Sequence, residues 1–268
     1  NILCFSSRGQ VYWLKVYEVP QGSRISKGKP IVNLFPIMPG EKINAILAVK
    51  DFVEDQYIFM ATSKGTVKKT PLSDFSNPRK SGIIAIKLDN GDFLIGASVT
   101  NGSNDIVLVS NGGKAVWFDE SAVRSMGRNA RGVRGMKLAD KQQVLSLLVS
   151  FSDSESVLVA TENGYGKRTQ LSEFRRSSRG TQGVKAIQVS DRNGIVVAAK
   201  LVGDHDEIML ITTGGVLIRT RVSEIRELGR ATQGVTLINL GKDEKLSGLE
   251  KIVETDLIDD DGQDELQI

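Results

Sequence analysis

Four arginines in this 268-residue chain keep one spacing to a glycine. Arg24, Arg128, Arg179 and Arg230 stand four residues before Gly28, Gly132, Gly183 and Gly234. A guanidinium presents a planar fork of donors that fits phosphate oxygens, and a glycine lets backbone approach a ligand closely. More bases gather around them: Arg124, Arg131, Arg134 and Lys137 in one stretch, Arg175, Arg176 and Lys185 in another. Neither 124–137 nor 175–185 contains an acid, whereas a surface charged only for solubility would mix the signs. Residues 224–230 are more balanced, with Glu224 and Glu227 beside Arg226 and Arg230. Another stretch carries Arg79 and Lys80 in a shorter loop, and Lys27 lies next to the first glycine. The chemistry on offer is anion binding at several equivalent places.

Catalytic patterns are weaker. NGYGKRT (163–169) resembles the end of a phosphate-binding loop, but Thr161 stands where the leading glycine is needed and Arg168 where Ser or Thr is needed. Asp204 and Asp206 read as solvated turn charges, and His205, the only histidine, has no serine singled out for it. A zinc site would have to combine His205 and the only cysteine, Cys4, with carboxylates. One cysteine permits no internal disulfide and suits a reducing compartment. Nothing argues for an enzyme or a cofactor.

The elements that position the arginines follow from an internal repeat. ATENGYGKRTQLSEF (160–174) and ITTGGVLIRTRVSEI (211–225) share a frame with ATSKGTVKKTPLSDF (61–75), VSNGGKAVWFDESAV (109–123) and FSSRGQVYWLKVYEV (5–19). Their turn glycines, Gly9, Gly65, Gly113, Gly164 and Gly215, lie 56, 48, 51 and 51 residues apart. A second set, Gly28, Gly82, Gly132, Gly183 and Gly234, follows at 19, 17, 19, 19 and 19 residues. Each repeat holds four short β-branched segments, in the fourth 156–161, 166–171, 183–189 and 194–201, the first two joined in a hairpin. Alternation predicts that Ile84, Ile86 and Leu88 face one way and Ala85 and Lys87 the other. Four strands every fifty or so residues is the period of propeller blades, each needing a neighbour to bury its faces.

Bases also recur on the second segment: Lys15, Lys68 and Lys69, Lys167 and Arg168, Arg219 and Arg221, with Trp117 and Phe118 replacing them in the third repeat. Charge that recurs with the structural period recurs around a ring, predicting a basic belt. The net charge of +3 conceals a division, because residues 241–268 carry three lysines and ten acids and the remainder is +10. We expect a folded unit over 1–253 and an acidic tail over 254–268 that competes with a polyanion for the belt. No apolar run is long enough for a membrane span, and a chain starting at Asn1 reads as part of something longer.

ILCFSSRGQVYWLKVYEVP (2–20), KGKPIVNL (27–34), NGYGKRT (163–169), RTRVSEI (219–225) and GRATQGV (229–235) resemble the C-terminal domain of the DNA gyrase A protein, one of the type IIA topoisomerases. The resemblance runs along essentially the whole chain. It implies an all-β fold, a β-pinwheel whose neighbouring blades exchange strands, with six blades where five repeats are visible. It implies a non-catalytic, cofactor-free domain that wraps double-stranded DNA on its basic perimeter, beside the catalytic core of the gyrase A protein and, through the holoenzyme, the gyrase B protein. It also implies a cytoplasmic, nucleoid-associated bacterial protein supporting negative supercoiling, with the acidic tail tuning the wrap. The family's Arg- and Gly-rich heptad beginning Gln-Arg-Arg does not occur here. One cause would explain the missing heptad and the missing blade: a chain that starts after most of the first blade. Two other readings stay open, the equivalent DNA-binding domain of topoisomerase IV and a protein-binding propeller.

Overall fold

The computed structural model describes residues 1–22, 26–152 and 154–252. Five hairpins carry the fold. Each forms where a β-rich run meets a turn glycine with φ between +74° and +82°, a conformation that costs other residues dearly. The first repeat supplies β1 (Ile2–Ser6), β2 (Gln10–Leu14) and β3 (Ile43–Ala48). The second supplies β4 (Tyr57–Thr62), β5 (Thr66–Pro71), β6 (Ile83–Ile84) and β7 (Leu94–Thr100). The third holds β8 (Asp105–Ser110), β9 (Lys114–Asp119), β10 (Val133–Arg134) and β11 (Val144–Ser150). The fourth holds β12 (Ser156–Thr161), β13 (Tyr165–Gln170), β14 (Val184–Lys185) and β15 (Val196–Val202). The fifth ends with β16 (Glu207–Thr212), β17 (Leu217–Arg221), β18 (Val235–Thr236) and β19 (Leu246–Ile252).

The third segment of a repeat does not join its own sheet. The sheets run β3-β1-β2-β6, β7-β4-β5-β10, β11-β8-β9-β14 and β15-β12-β13-β18, so the outermost strand of each comes from the next repeat. The fifth sheet, β19-β16-β17, has three strands. This is a β-pinwheel of five blades among the described residues, one fewer than the resemblance implied. The exchanged strands are only two residues long, much shorter than the sequence suggested. Ile84, at 44% exposed, points outward, whereas Ala85 and Ile86 are both buried. Strict alternation fails there because the chain leaves the sheet and both amides turn onto the carbonyl of Gly9.

The innermost strands β3, β7, β11, β15 and β19 pack in succession and together line a central cavity of about 280 Å³. Apolar cores sit between blades. One joins Phe5 and Val11 to Met60 and Phe75, another Phe59 and Val67 to Leu108 and Phe118. Two more join Val107 to Val159 and Phe174, and Leu158 to Leu210 and Ile225. Blade one covers its other face with Phe35, stacked 5.2 Å from Tyr12. Among the described residues blade five has no such cover, and Val216 and Leu217 are exposed.

Candidate nucleic-acid interface

Strand exchange carries the arginine loops to the perimeter. In repeats two to five the loop leaves a one-turn helix of its own repeat, crosses to the preceding blade and enters its outermost strand. The crossing is anchored at one residue: the carbonyls of Lys69, Trp117 and Arg168 accept from the amides of Met126, Ser177 and Leu228 at 2.8, 2.9 and 3.0 Å. The loop then ends on a glycine that no other residue could replace without displacement. A Cβ on Gly132 or Gly183 would sit 2.4 or 2.1 Å from the carbonyl oxygen of Val67 or Ala115. The sequence spacing between arginine and glycine is thus the length of one crossing.

Neighbouring crossings are linked through backbone. Lys87 N donates to Ala130 O at 3.3 Å, Lys137 N to Thr181 O at 2.8 Å and Gln188 N to Thr232 O at 2.8 Å. The same bond, three times, joins successive loops into one rim. Arg179 reinforces it, donating from Nε to Ala122 O at 2.9 Å and from Nη1 to Arg134 O at 3.0 Å.

Most of the expected basic residues are at the protein surface. Lys15, Lys27, Arg79, Lys80, Arg124, Arg131, Arg134, Arg175, Arg176, Lys185, Arg219, Arg221 and Arg226 are exposed, and Arg128, Arg179 and Arg230 are half-buried in the crossings. Arg24 and the acidic tail 254–268 lie outside the described residues. Some of these cations are engaged. Arg131 pairs with Asp89 at 2.9 Å, and Arg176 bridges Asp105 and Asp119 at 2.5 and 2.8 Å. Arg219 and Arg221 both face Glu207. Among the described residues, no acid lies within ion-pair distance of Arg124, Arg128, Arg134, Arg175, Arg226 or Arg230.

Three of the expected lysines are not on the surface, which corrects the expectation for the second segment. Lys68 and Lys167 are fully buried and Lys69 is 7% exposed. The second strand lies one strand inside the rim, and the exchanged strand and loop cover it. Lys68 Nζ donates to Ala85 O at 2.7 Å and to Arg128 O. Lys167 Nζ donates to Thr169 Oγ1 at 2.8 Å and to Gly229 O at 2.7 Å. Lys69 lies over the Tyr57 ring, 4.0 Å from the buried Glu120. Arg168 is likewise occupied, by Ile225 O at 2.8 Å and by Asp204.

Nothing in the sequence pointed to Glu120, which joins two blades by accepting from Thr100 Oγ1 at 2.5 Å and Asn104 N at 3.1 Å. Trp13 was also missed. Its Nε1 donates to Phe75 O at 3.0 Å, the bond that Arg168 makes to Ile225 O three blades on. The repeat frame contained that signal, since Trp13 and Arg168 each stand four residues after a turn glycine and both acceptors ten after the next one. Asp204 and Asp206, read as turn charges, pair with Arg168 and Lys251. Among the described residues no helix is long and apolar enough to cross a membrane.

The blades coincide with five successive matches to one family model, "DNA gyrase C-terminal domain, beta-propeller", over residues 1–50, 56–101, 104–150, 155–202 and 206–252. The DNA gyrase A protein of Salmonella typhimurium is 52% identical over 264 residues, covering 98% of this chain and 30% of the relative. That of Pseudomonas aeruginosa is 45% identical over 304 residues, covering 97% and 33%. This chain therefore spans about a third of the length of these relatives. A solved DNA gyrase A C-terminal domain superposes with a TM-score of 0.81 at 28% identity, covering 94% of this chain and 82% of that one. The C-terminal domain of a DNA topoisomerase IV does so with 0.87 at 30%, covering 94% and 78%. With nearly every described residue inside the model and its periodicity matching the blades, this chain belongs to the family of DNA gyrase C-terminal domains.

Proposed function

We propose that this chain binds double-stranded DNA without sequence specificity, bending and wrapping it on the linked rim. The observation that carries this is the rim: arginine-bearing loops, placed one per blade junction by strand exchange and tied together through backbone. Phosphate contacts from arginines on a fixed backbone position a duplex without reading its bases. Because the rim curves, the contacts continue only along a bent duplex, at a cost on the order of 10 kcal/mol for a half turn of some 40 base pairs. Repetition of the loops offsets that cost. In this reading the chain is the non-catalytic wrapping domain of a gyrase. It works in the bacterial cytoplasm with the catalytic core of the gyrase A protein and with the gyrase B protein, needs no cofactor of its own, and its acidic tail competes for the rim. The roughly 50% identity to gyrase A proteins favours gyrase over topoisomerase IV.

The test is duplex binding against salt, followed by ligation of nicked circles in the presence of the protein. Contacts to about six to ten phosphates predict a loss of about 10³-fold or more between 50 and 200 mM salt. Ligated circles should show a shifted linking number. Binding that ignores salt would overturn the proposal in favour of a protein-binding propeller. Salt-dependent binding with unchanged linking number would reduce it to holding or bending.

A further inference from the structure

Two loops of the rim are fastened from beneath by a buried ammonium group. Lys68 and Lys167 occupy the same place in alternate blades, three residues after Gly65 and Gly164. Both are fully buried. Neither ends on a carboxylate. Lys68 donates to the carbonyls of Ala85 and Arg128, Lys167 to Gly229 O and Thr169 Oγ1. In each case one acceptor is backbone of the crossing loop, at or next to the arginine four residues before the rim glycine. A lysine is a costly choice for a buried site, where an unpaired charge is strongly disfavoured. The intervening blade has Val116 at this position, and the first blade Tyr12.

We propose that Lys68 and Lys167 are positioning residues for phosphate binding, each tying down the loop that bears Arg128 or Arg230 so that its guanidinium meets DNA from a fixed backbone. This rests on the DNA-binding reading above. In its protonated form each lysine makes charge-assisted hydrogen bonds, about twice as strong as neutral ones, and a loop held before binding loses less conformational freedom on contact. Burial works against that charge, so each pin weakens as pH rises through the folded value of its lysine. Burial pulls Lys68 down to about 7, with further repulsion from Arg128 and partial relief from Asp74. Burial pulls Lys167 down to about 8, with relief from Glu173 and repulsion from Arg230. Each pin therefore senses the arginine of the loop it holds.

The experiment is a double-mutant cycle on the full chain, with a linear duplex as probe. Each phosphate contact contributes about 0.9 to the salt slope, or about eightfold in affinity at 0.1 M salt. Arg128→Ala should lose about that factor. Lys68→Met, which fills a similar buried volume, should lose about three- to eightfold and lower the slope by up to about 0.9. The combined variant should lose no more than Arg128→Ala alone, because the pin acts only through the arginine. A product of the two losses would overturn the proposal, as would a folded Lys68→Met with wild-type affinity and slope. A lysine that merely supports the fold gives additive losses. Lys167→Met with Arg230→Ala is an independent cycle at another loop, and Lys68→Gln keeps a donor without the charge, so failure of one variant to fold leaves the question decidable. If the wild type itself shows no salt slope, the DNA-binding reading has failed rather than the pin.

Discussion

The seat of Gly183 offers a sharp measure of what strand exchange contributes. A Cβ there would lie 2.1 Å from Ala115 O and 2.6 Å from its carbonyl carbon, and φ is +70°. Backbone must move, and what moves is the start of β14, whose Val184 and Lys185 pair with Ala115 and Lys114. Gly28 is the internal control. It stands at the same place in the first repeat, with φ +68°, yet among the described residues an added Cβ meets nothing within 4 Å. The left-handed conformation costs an alanine about 1–2 kcal/mol, offset by about 0.4–1 kcal/mol from the stiffer unfolded chain. Gly28→Ala should therefore destabilise by about 0–1.6 kcal/mol, near 1 at the centre of the range. Gly183→Ala adds the displaced ladder bonds, at about 0.5–1.5 kcal/mol each, for a total of about 2–3 kcal/mol. Urea unfolding at constant slope would show this as midpoint shifts differing at least twofold. Hydrogen exchange would place the damage, because the amides of Ala186 and Ile187 both donate to Gly113 O and should lose protection only in Gly183→Ala. Equal midpoint shifts, or unchanged protection at those two amides, would refute the idea that close seating of the glycine holds the exchanged strand.

Other consequences concern charge. Burial disfavours the ammonium of Lys68 and Lys167 in the folded state, so between about 7 and the ordinary lysine value of 10.5 the unfolded chain binds protons that the fold does not. Stability from these two groups should thus rise with pH across that window, and Lys68→Met should flatten the rise in urea midpoints between pH 7 and 10. Glu120→Leu removes the acceptor of Thr100 and Asn104 and leaves the buried Lys69 only the backbone carbonyl of residue 120, and should cost about 3 kcal/mol in chemical denaturation. Arg175→Ala and Arg176→Ala should separate binding from fold. Arg175 is exposed without an ion pair among the described residues, so its loss should weaken DNA binding at unchanged stability, while loss of Arg176, which bridges Asp105 and Asp119, should also lower stability by up to about 1 kcal/mol.

The hairpins were legible because each depends on local chemistry alone, a turn glycine between β-rich runs. The arginine spacing was legible for the same reason, since a crossing of fixed length repeats in sequence as well as in space. Strand exchange was not legible from periodicity, because a repeat that completes its own sheet and one that completes its neighbour's have the same period; it came from family resemblance. Burial of Lys68 and Lys167 was missed because the residue type outweighed the position. Tyr12 and Val116 occupy the same register and are buried, so aligning the repeats by register would have predicted an inward side chain. Lysine's usual exposure fails here because the loop supplies carbonyls where water would otherwise be needed.

Exchange also explains why the loops can act as one surface. If each repeat closed its own sheet, a loop would be supported by a single blade, and a shift between blades would change the spacing of neighbouring arginines. Here each loop starts on one blade and ends on the previous one. Lys68, on a strand of blade two, reaches both Ala85, which directly follows the strand donated to blade one, and Arg128, in the loop arriving from repeat three. One ammonium thus ties blade two to the segment it lends and to the loop it receives. The spacing between loops is then set by bonds across junctions rather than by packing within blades. A duplex on the rim would pull on those same bonds. Among the described residues, Cβ atoms on Gly28 and Gly215 would meet nothing, while those on the other turn and rim glycines of the repeat would meet the segment just after an exchanged strand or the strand that receives it, so the close seating of glycines follows the junctions that exchange strands.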